Sequence, residues 1–310
     1  MNKVKNKCLN FLKGISCIGV IIMHCGFPTV IGDLICYLFK FAVPIFFMIS
    51  GYFAYYEQEE KIGNRLPEKI KHIFKILLIA EIAYGIYALL KKLIWNDVID
   101  IQLNVSKIVS KILVGTFFNG TLWFLYALFW SYVCLYIIHK TNTYQKAYKI
   151  APCILILHVV VRTYVKRFDW YNLNYFRNFL MYGLPFVVIG NYIHRNKEIL
   201  CAKITNRKCL IGIACGTGLT VIEYLVSRQA LDIYIGTIIL SCAMFLYAIK
   251  NPENSLNSIL CNIGDKLSMY IYILHMLAIE IAEKVGENFN TTVYDWVKPI
   301  NAIILSILLA

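Results

Sequence analysis

Residues 11–26 read FLKGISCIGVIIMHCG, an apolar and small-residue run interrupted by one lysine, Lys13, and one histidine, His24. A lysine at the centre of a hydrocarbon layer costs about 2.5–3.5 kcal/mol on insertion scales, so a membrane helix keeps such a residue only where something offsets the penalty. The two polar residues stand eleven positions apart, close to three helical turns. That spacing sets them within about 20° of one helix face and about 16 Å apart along the axis. Lys13 is therefore expected near the inner interface, where its stem reaches the headgroups. His24 is expected near mid-membrane, where it needs a partner or a task.

Working outward, the whole chain continues in the same style. Of its 310 residues 59% are hydrophobic and 16% charged, whereas a soluble domain carries about 25% charged residues. Ten apolar windows recur, at about 11–30, 34–56, 73–95, 120–139, 148–165, 175–194, 208–226, 231–249, 267–284 and 293–310. At 1.5 Å per residue each approaches the roughly 30 Å of a bilayer core. The expected fold is all-α: a polytopic bundle of about ten transmembrane helices, forming a single domain over residues 1–310 with no room for a sizeable soluble part. The first window has internal polar residues, no small-x-small cleavage site and a second window straight after it, so it reads as a helix that stays rather than a leader.

The net charge of +13 would suggest nucleic acid in a soluble protein, but here position decides. With the N-terminus inside, 19 basic residues fall on inner segments and 11 on outer ones, with Lys40 inside a window. This favours a multi-pass cell-membrane protein with N-terminus and C-terminus inside, lipids as partners and no nucleic acid. The connection 96–119 carries Val105, Ile108, Val109 and Ile112 at helical spacing, as expected of a short helix on the outer leaflet. The eleven cysteines are scattered, with no Cys-x-x-Cys, and read as packing residues rather than disulfides or metal ligands. No glycine-rich phosphate loop, His-Glu-x-x-His or Gly-x-Ser-x-Gly occurs, so no metal is expected.

His24 has companions in the apolar windows: His275, Glu81, Glu223 and Glu280. A neutral imidazole bonded to a neighbouring helix is one account of His24. Ionisable groups that find one another inside a membrane are a functional site by default, which is the other. A relay or a proton-coupled path would both use such groups.

The motifs are more specific than the chemistry. Lys13-x10-His24 is followed by AVPIFFMISGYF at 42–53, EKIKHIFKILL at 68–78, LWFLYAL at 122–128, FRNFLMYGLPFVVIGNYI at 176–193 and DKLSMYIYILH at 265–275. In this order and spacing the chain resembles the acyltransferase 3 family of bacterial integral membrane acyltransferases over nearly its full length. That family carries Arg-x10-His in its first span, Ser-Gly-Tyr or Ser-Gly-Phe ending its second, Arg-x-x-Arg opening its third and Tyr-x-x-His near its end. Here the first reads Lys13 and His24, the second Ser50, Gly51 and Tyr52, the third His72-x-x-Lys75, and the last Tyr272 and His275. Lysine is a point charge where arginine is a bidentate fork, and histidine is not always charged, so the phosphate-holding positions depart from the pattern.

The resemblance implies transfer of an acyl group, commonly acetyl, from cytoplasmic acyl-CoA to a hydroxyl of a cell-surface or membrane-linked glycan, or of a small-molecule acceptor. Catalytic residues would be His24 as general base or acyl carrier, with Lys13, Ser50, Tyr52 and His275 around the reacting groups. His72, Lys75 and Lys71 would hold the donor's phosphates, with positive-inside topology as the plainer account of these cations. Arg177, Trp123 and Arg167 would face the acceptor, within an outer basic and aromatic region that includes Arg162, Lys166, Trp170, Tyr171 and Tyr175. An interfacial aromatic belt explains the same region without a ligand. Ser-Gly-Tyr serves equally as a close-packing turn. A second function class stays open: Pro44 and Arg177-Asn178 look closer to the Gram-positive branch that includes the membrane half of serine racemases, where a related bundle would transport an amino acid such as serine.

Overall fold

The computed structural model describes residues 6–95, 111–113, 117–165, 176–227, 231–254, 257–287 and 292–310. The regular structure among these residues is helical, with no strand among them. In chain order the helices are α1 (Lys7–Cys25), α2 (Thr29–Leu38), α3 (Ala42–Tyr52), α4 (Glu59–Trp95), α5 (Trp123–Lys140), α6 (Tyr144–Val165), α7 (Leu184–Arg195), α8 (Lys197–Lys203), α9 (Asn206–Ser227), α10 (Ile235–Lys250), α11 (Ser258–Asn262), α12 (Ser268–Glu287) and α13 (Thr292–Leu309). A 3₁₀ turn, Phe39–Phe41, joins α2 to α3. π turns at Phe179–Gly183 and Ile263–Leu267 lead into α7 and α12.

Six of the described segments are long and apolar enough to cross a membrane: Lys7–Cys25, Thr29–Tyr52, Lys61–Ile94, Gly120–Lys140, Asn206–Ser227 and Thr292–Leu309. Ile235–Lys250 is apolar but shorter. The expected windows at 148–165, 175–194 and 267–284 form helix without reaching the same measure, so six crossings stand on length and composition where the sequence suggested ten. The apolar surface agrees with a lipid setting. Along α4 the residues Phe74, Leu78, Ile82, Ile86, Leu89 and Leu93 are all exposed, a stripe too long for a water-facing helix. The expected outer-leaflet helix near Val105–Ile112 lies outside the described residues except for a helical fragment at 111–113.

The described helices group into two compact units, residues 1–46 with 196–310, and residues 47–195, the boundary falling inside α3. In the first unit α1 is started by Asn6, whose side chain accepts from the Leu9 N–H at 2.7 Å and whose amide donates to the Ala248 carbonyl at 3.0 Å. It stops at Gly26, which has φ +65° and donates to the Ile22 carbonyl at 2.8 Å, with Pro28 beyond it. Beside α1 run α11, the π turn and α12 as one long helix. Cys17 and Ile21 meet Ile263 and Ile271 in a core that continues through Ile279, Ala282 and Ala302. In the second unit Gly51 of α3 lies on the Val187 backbone and Gly190 of α7 on the Met48 backbone, so neither position has room for a Cβ and the two helices touch main chain to main chain.

Glu223, one of the carboxyl groups expected as a relay, is accounted for by the fold. Its two oxygens accept from the backbone N–H groups of Ile235 (3.2 Å) and Gly236 (2.8 Å), the open first turn of α10. Glu223→Ala should cost about 1 kcal/mol, the usual worth of a lost cap, lowering the melting temperature in detergent by a few degrees while acyl transfer is retained.

Candidate active site

Two glycines set the geometry of the first unit. A methyl at Gly14 of α1 would run into the Leu260 carbonyl, and one at Gly264 would run into the Asn10 carbonyl and approach the Lys13 Cβ. The two backbones cross in contact there, and Lys13 is held beside the π turn that carries Asp265. π turns inside helices recur at functional sites because they re-aim the side chains around them.

Eleven residues further along each helix, the same pairing brings His24 to His275, with ring centroids 5.2 Å apart and planes tilted by 47°. The helices run in parallel, so Lys13 and His24, one line on α1, both face the helix from 258 to 287. His24 is not at the middle of its helix, as its sequence position suggested. It is the last residue but one of α1, exposed, because Gly26 ends the helix earlier than the apolar window does. That position keeps the ring open to a reactant while the helix anchors it.

His275 is fully buried. Its Nδ1 lies 2.6 Å from the Tyr272 carbonyl and 3.2 Å from that of Ile271, so Nδ1 carries the proton and donates. In the neutral ring Nε2 is then the acceptor, and it is buried without a hydrogen-bond partner. Such an atom costs stability unless something in its surroundings uses it. The Tyr272 ring lies 6.0 Å from it, and Cys17, Val20, Phe46, Ser268 and Tyr272 line the small cavity beside it.

The remaining expected residues belong to the second unit. Tyr52, buried, stacks on His194 at 4.1 Å with planes 13° apart, and His194 Nδ1 donates to the Tyr52 carbonyl at 2.6 Å. Ser50 offers its carbonyl to the Tyr132 hydroxyl at 3.4 Å. Ser50, Gly51 and Tyr52 form the last helical turn of α3, held close to α7 where Gly51 lies on the Val187 backbone. Lys71, His72 and Lys75 are exposed on α4. Trp123 meets Tyr182 edge-on at 5.6 Å and Phe47 at 6.2 Å, and Arg177 is half-buried just before the π turn. Arg167 lies outside the described residues, as do Lys166, Trp170, Tyr171 and Tyr175.

One residue, His158, escaped the sequence reading, and another, Arg162, expected in the outer basic region, is buried instead. His158 and Arg162, one turn apart on α6, are buried. His158 Nδ1 lies 3.0 Å from the Met181 carbonyl, its ring near Phe176 and Tyr182, and the Arg162 guanidinium stands 5.5 Å from the Phe176 ring. The signal was present in ILILHVVVR, residues 154–162: two ionisable groups four apart in an apolar run share a helix face. Counting Arg162 with the outer cations hid it. Glu81 is likewise engaged, accepting from the Tyr126 hydroxyl at 2.9 Å.

Among the described residues no three His, Cys, Asp or Glu side chains gather as a metal site. The model of the acyltransferase domain family, Acyl_transf_3, matches residues 6–310. The chain belongs to this family. Helices of membrane-crossing length together with that membership make it a membrane acyltransferase. The match lends nothing to the transport reading. No curated protein and no solved structure matches the chain.

Proposed function

We propose that this acyltransferase moves an acyl group, acetyl by preference, from cytoplasmic acyl-CoA to a hydroxyl of a cell-surface or membrane-linked glycan, with the N-terminus of the chain inside. The observation that carries this reading is the His24–His275 pair: one exposed imidazole beside a buried one whose tautomer is set by the Tyr272 carbonyl. In this reading His275 Nε2, which has no hydrogen-bond partner in the structure, accepts an N–H of His24 once substrate is bound, and the other His24 nitrogen then serves as the base. That nitrogen takes the hydroxyl proton as the oxygen attacks the thioester carbonyl. The tetrahedral intermediate collapses to the ester, the carbon–sulfur bond breaks, and the thiolate leaves with a proton returned from His24.

Lys13 supplies a fixed positive charge on the same face of α1 as His24, about 16 Å earlier along the axis. Lys71, His72 and Lys75, exposed on one stretch of α4, suit the phosphates of the donor. Trp123, Arg177 and Arg167 are assigned to the acceptor, where aromatic faces and cations suit an anionic glycan.

The test is turnover of acetyl-CoA by purified protein in nanodiscs. Lys75→Ala should raise the donor KM several-fold with little change in kcat, since an exposed charge contributes binding rather than chemistry. His275→Ala should lower kcat by about tenfold to a hundredfold with the donor KM unchanged, at or below the roughly 10²–10⁴-fold worth of the general base that it positions. A well-folded wild type that neither binds nor consumes any acyl-CoA would overturn the proposal.

A further inference from the structure

The first unit holds a second concavity, lined by none of the residues of the histidine pair. An open groove of about 440 Å³ is lined by Cys8, Leu12 and Ile15 on α1, Ile213 on α9, Met244 and Ala248 on α10, with Glu253 and Asn254 at one end. That volume falls in the range of ligand sites, roughly 300–1,000 Å³. The α1 residues of the groove follow a helical stripe centred about 150° around the helix from the line through Lys13 and His24. Whatever fills the groove therefore approaches α1 from the side away from the histidine pair.

Its surroundings define the occupant. One wall is α9, an apolar helix of membrane-crossing length whose residues Leu210, Ile211, Ile222 and Leu225 are exposed, so the groove adjoins lipid. The polar end is built and anchored: the Cys8 N–H donates to the Pro252 carbonyl at 3.2 Å, Lys7 pairs with Glu253 at 2.9 Å, and Asn206 and Asn251 exchange side-chain hydrogen bonds at 2.9 and 3.2 Å. Glu253 is the charged residue of the lining, and around it, at this end of the three helices, stand Lys7, paired with Glu253, Arg207, exposed, Lys208, which donates to the Lys203 carbonyl at 3.4 Å, and Lys250, which donates to the Cys201 carbonyl at 2.5 Å. An apolar trough with a basic rim matches an amphiphile that is apolar along its length and negative at its head.

We propose that this groove binds one acyl chain of an anionic phospholipid, its phosphate held at the basic rim formed by Lys7, Arg207, Lys208 and Lys250. The site is independent of the donor and of the acyl-transfer reading.

The full chain, reconstituted in nanodiscs, would be photolabelled with phosphatidylglycerol or phosphatidylcholine carrying the same diazirine-tagged chain, and the labelled peptides mapped by mass spectrometry. Labelling should concentrate on residues 8–15 and 244–254, with phosphatidylglycerol favoured about fivefold, the effect of a single basic residue at a membrane surface. Ile15→Trp, which fills the trough from its half-buried wall, should remove that labelling and leave labelling of the exposed Leu210–Ile211 stretch intact. Met244→Trp repeats the test from the facing helix should the first variant fail to fold. Uniform labelling of all lipid-facing helices, equal yields from the two lipids, or loss of the label on adding acyl-CoA would each overturn the proposal, the last assigning the groove to the donor.

Discussion

His24→Ala is expected to reduce acyl transfer by about 10²–10⁴-fold, the usual contribution of a positioned general base, with the melting temperature unchanged. The activity loss follows from the place of His24 beside the acceptor Nε2 of His275, a pair that joins an exposed base to a buried partner of set tautomer. Stability is spared because the side chain is exposed at the end of α1 and fills no core position. Donor affinity should also survive, since the cations proposed to hold the donor's phosphates are other residues. Turnover measured alongside donor binding separates the cases: lost turnover with intact binding is the expected result, and retained turnover would remove His24 from the chemistry. His24→Gln, which keeps a hydrogen-bonding group but no titratable nitrogen, should be as inactive as the alanine variant.

Gly264→Val is expected to have the largest effect on folding. The added side chain meets the Asn10 carbonyl and the Lys13 Cβ, and Gly14 presses on the Leu260 carbonyl one turn away, so the collision is with backbone on a helix that cannot rotate out of it. Overpacking of a tight core costs about 1–3 kcal/mol and more where backbone must shift. Here the helices would have to separate along the seam from Lys13 to His24. Fluorescence-detected size exclusion should show most of the Gly264→Val protein aggregated, with Gly264→Ala intermediate. Any folded Gly264→Ala protein should be less active than its stability alone explains, since the same seam sets the distance between His24 and His275. A stable, fully active valine variant would show that the crossing is looser than the glycine contacts imply.

The line from Lys13 to His24 could be read before any fold was known, because a helix of 3.6 residues per turn places positions eleven apart on one face. The match between that line and the 264–275 segment could not. It depends on two glycines, Gly14 and Gly264, that in sequence are small residues in apolar runs and in the fold are the point where two backbones meet. Glu223 shows the opposite case. As a carboxyl group in an apolar window it looked like a proton carrier, and only the packing of α9 on α10 shows that it answers two open N–H groups. Arg162 was placed with the outer cations because a count of charges by loop side treats a buried arginine and an exposed one alike.

By itself the sequence determined the helical class, the membrane setting and the family, since apolar composition, window length and motif order are properties of the chain that survive any arrangement of its helices. Only the tertiary structure decided which polar residues meet. A buried imidazole is identified as a partner by the atoms around it: the Tyr272 carbonyl that sets its proton and the His24 ring 5.2 Å away. Those neighbours are brought together by close backbone contact between helices some 250 residues apart in the chain, a distance across which sequence periodicity carries no information.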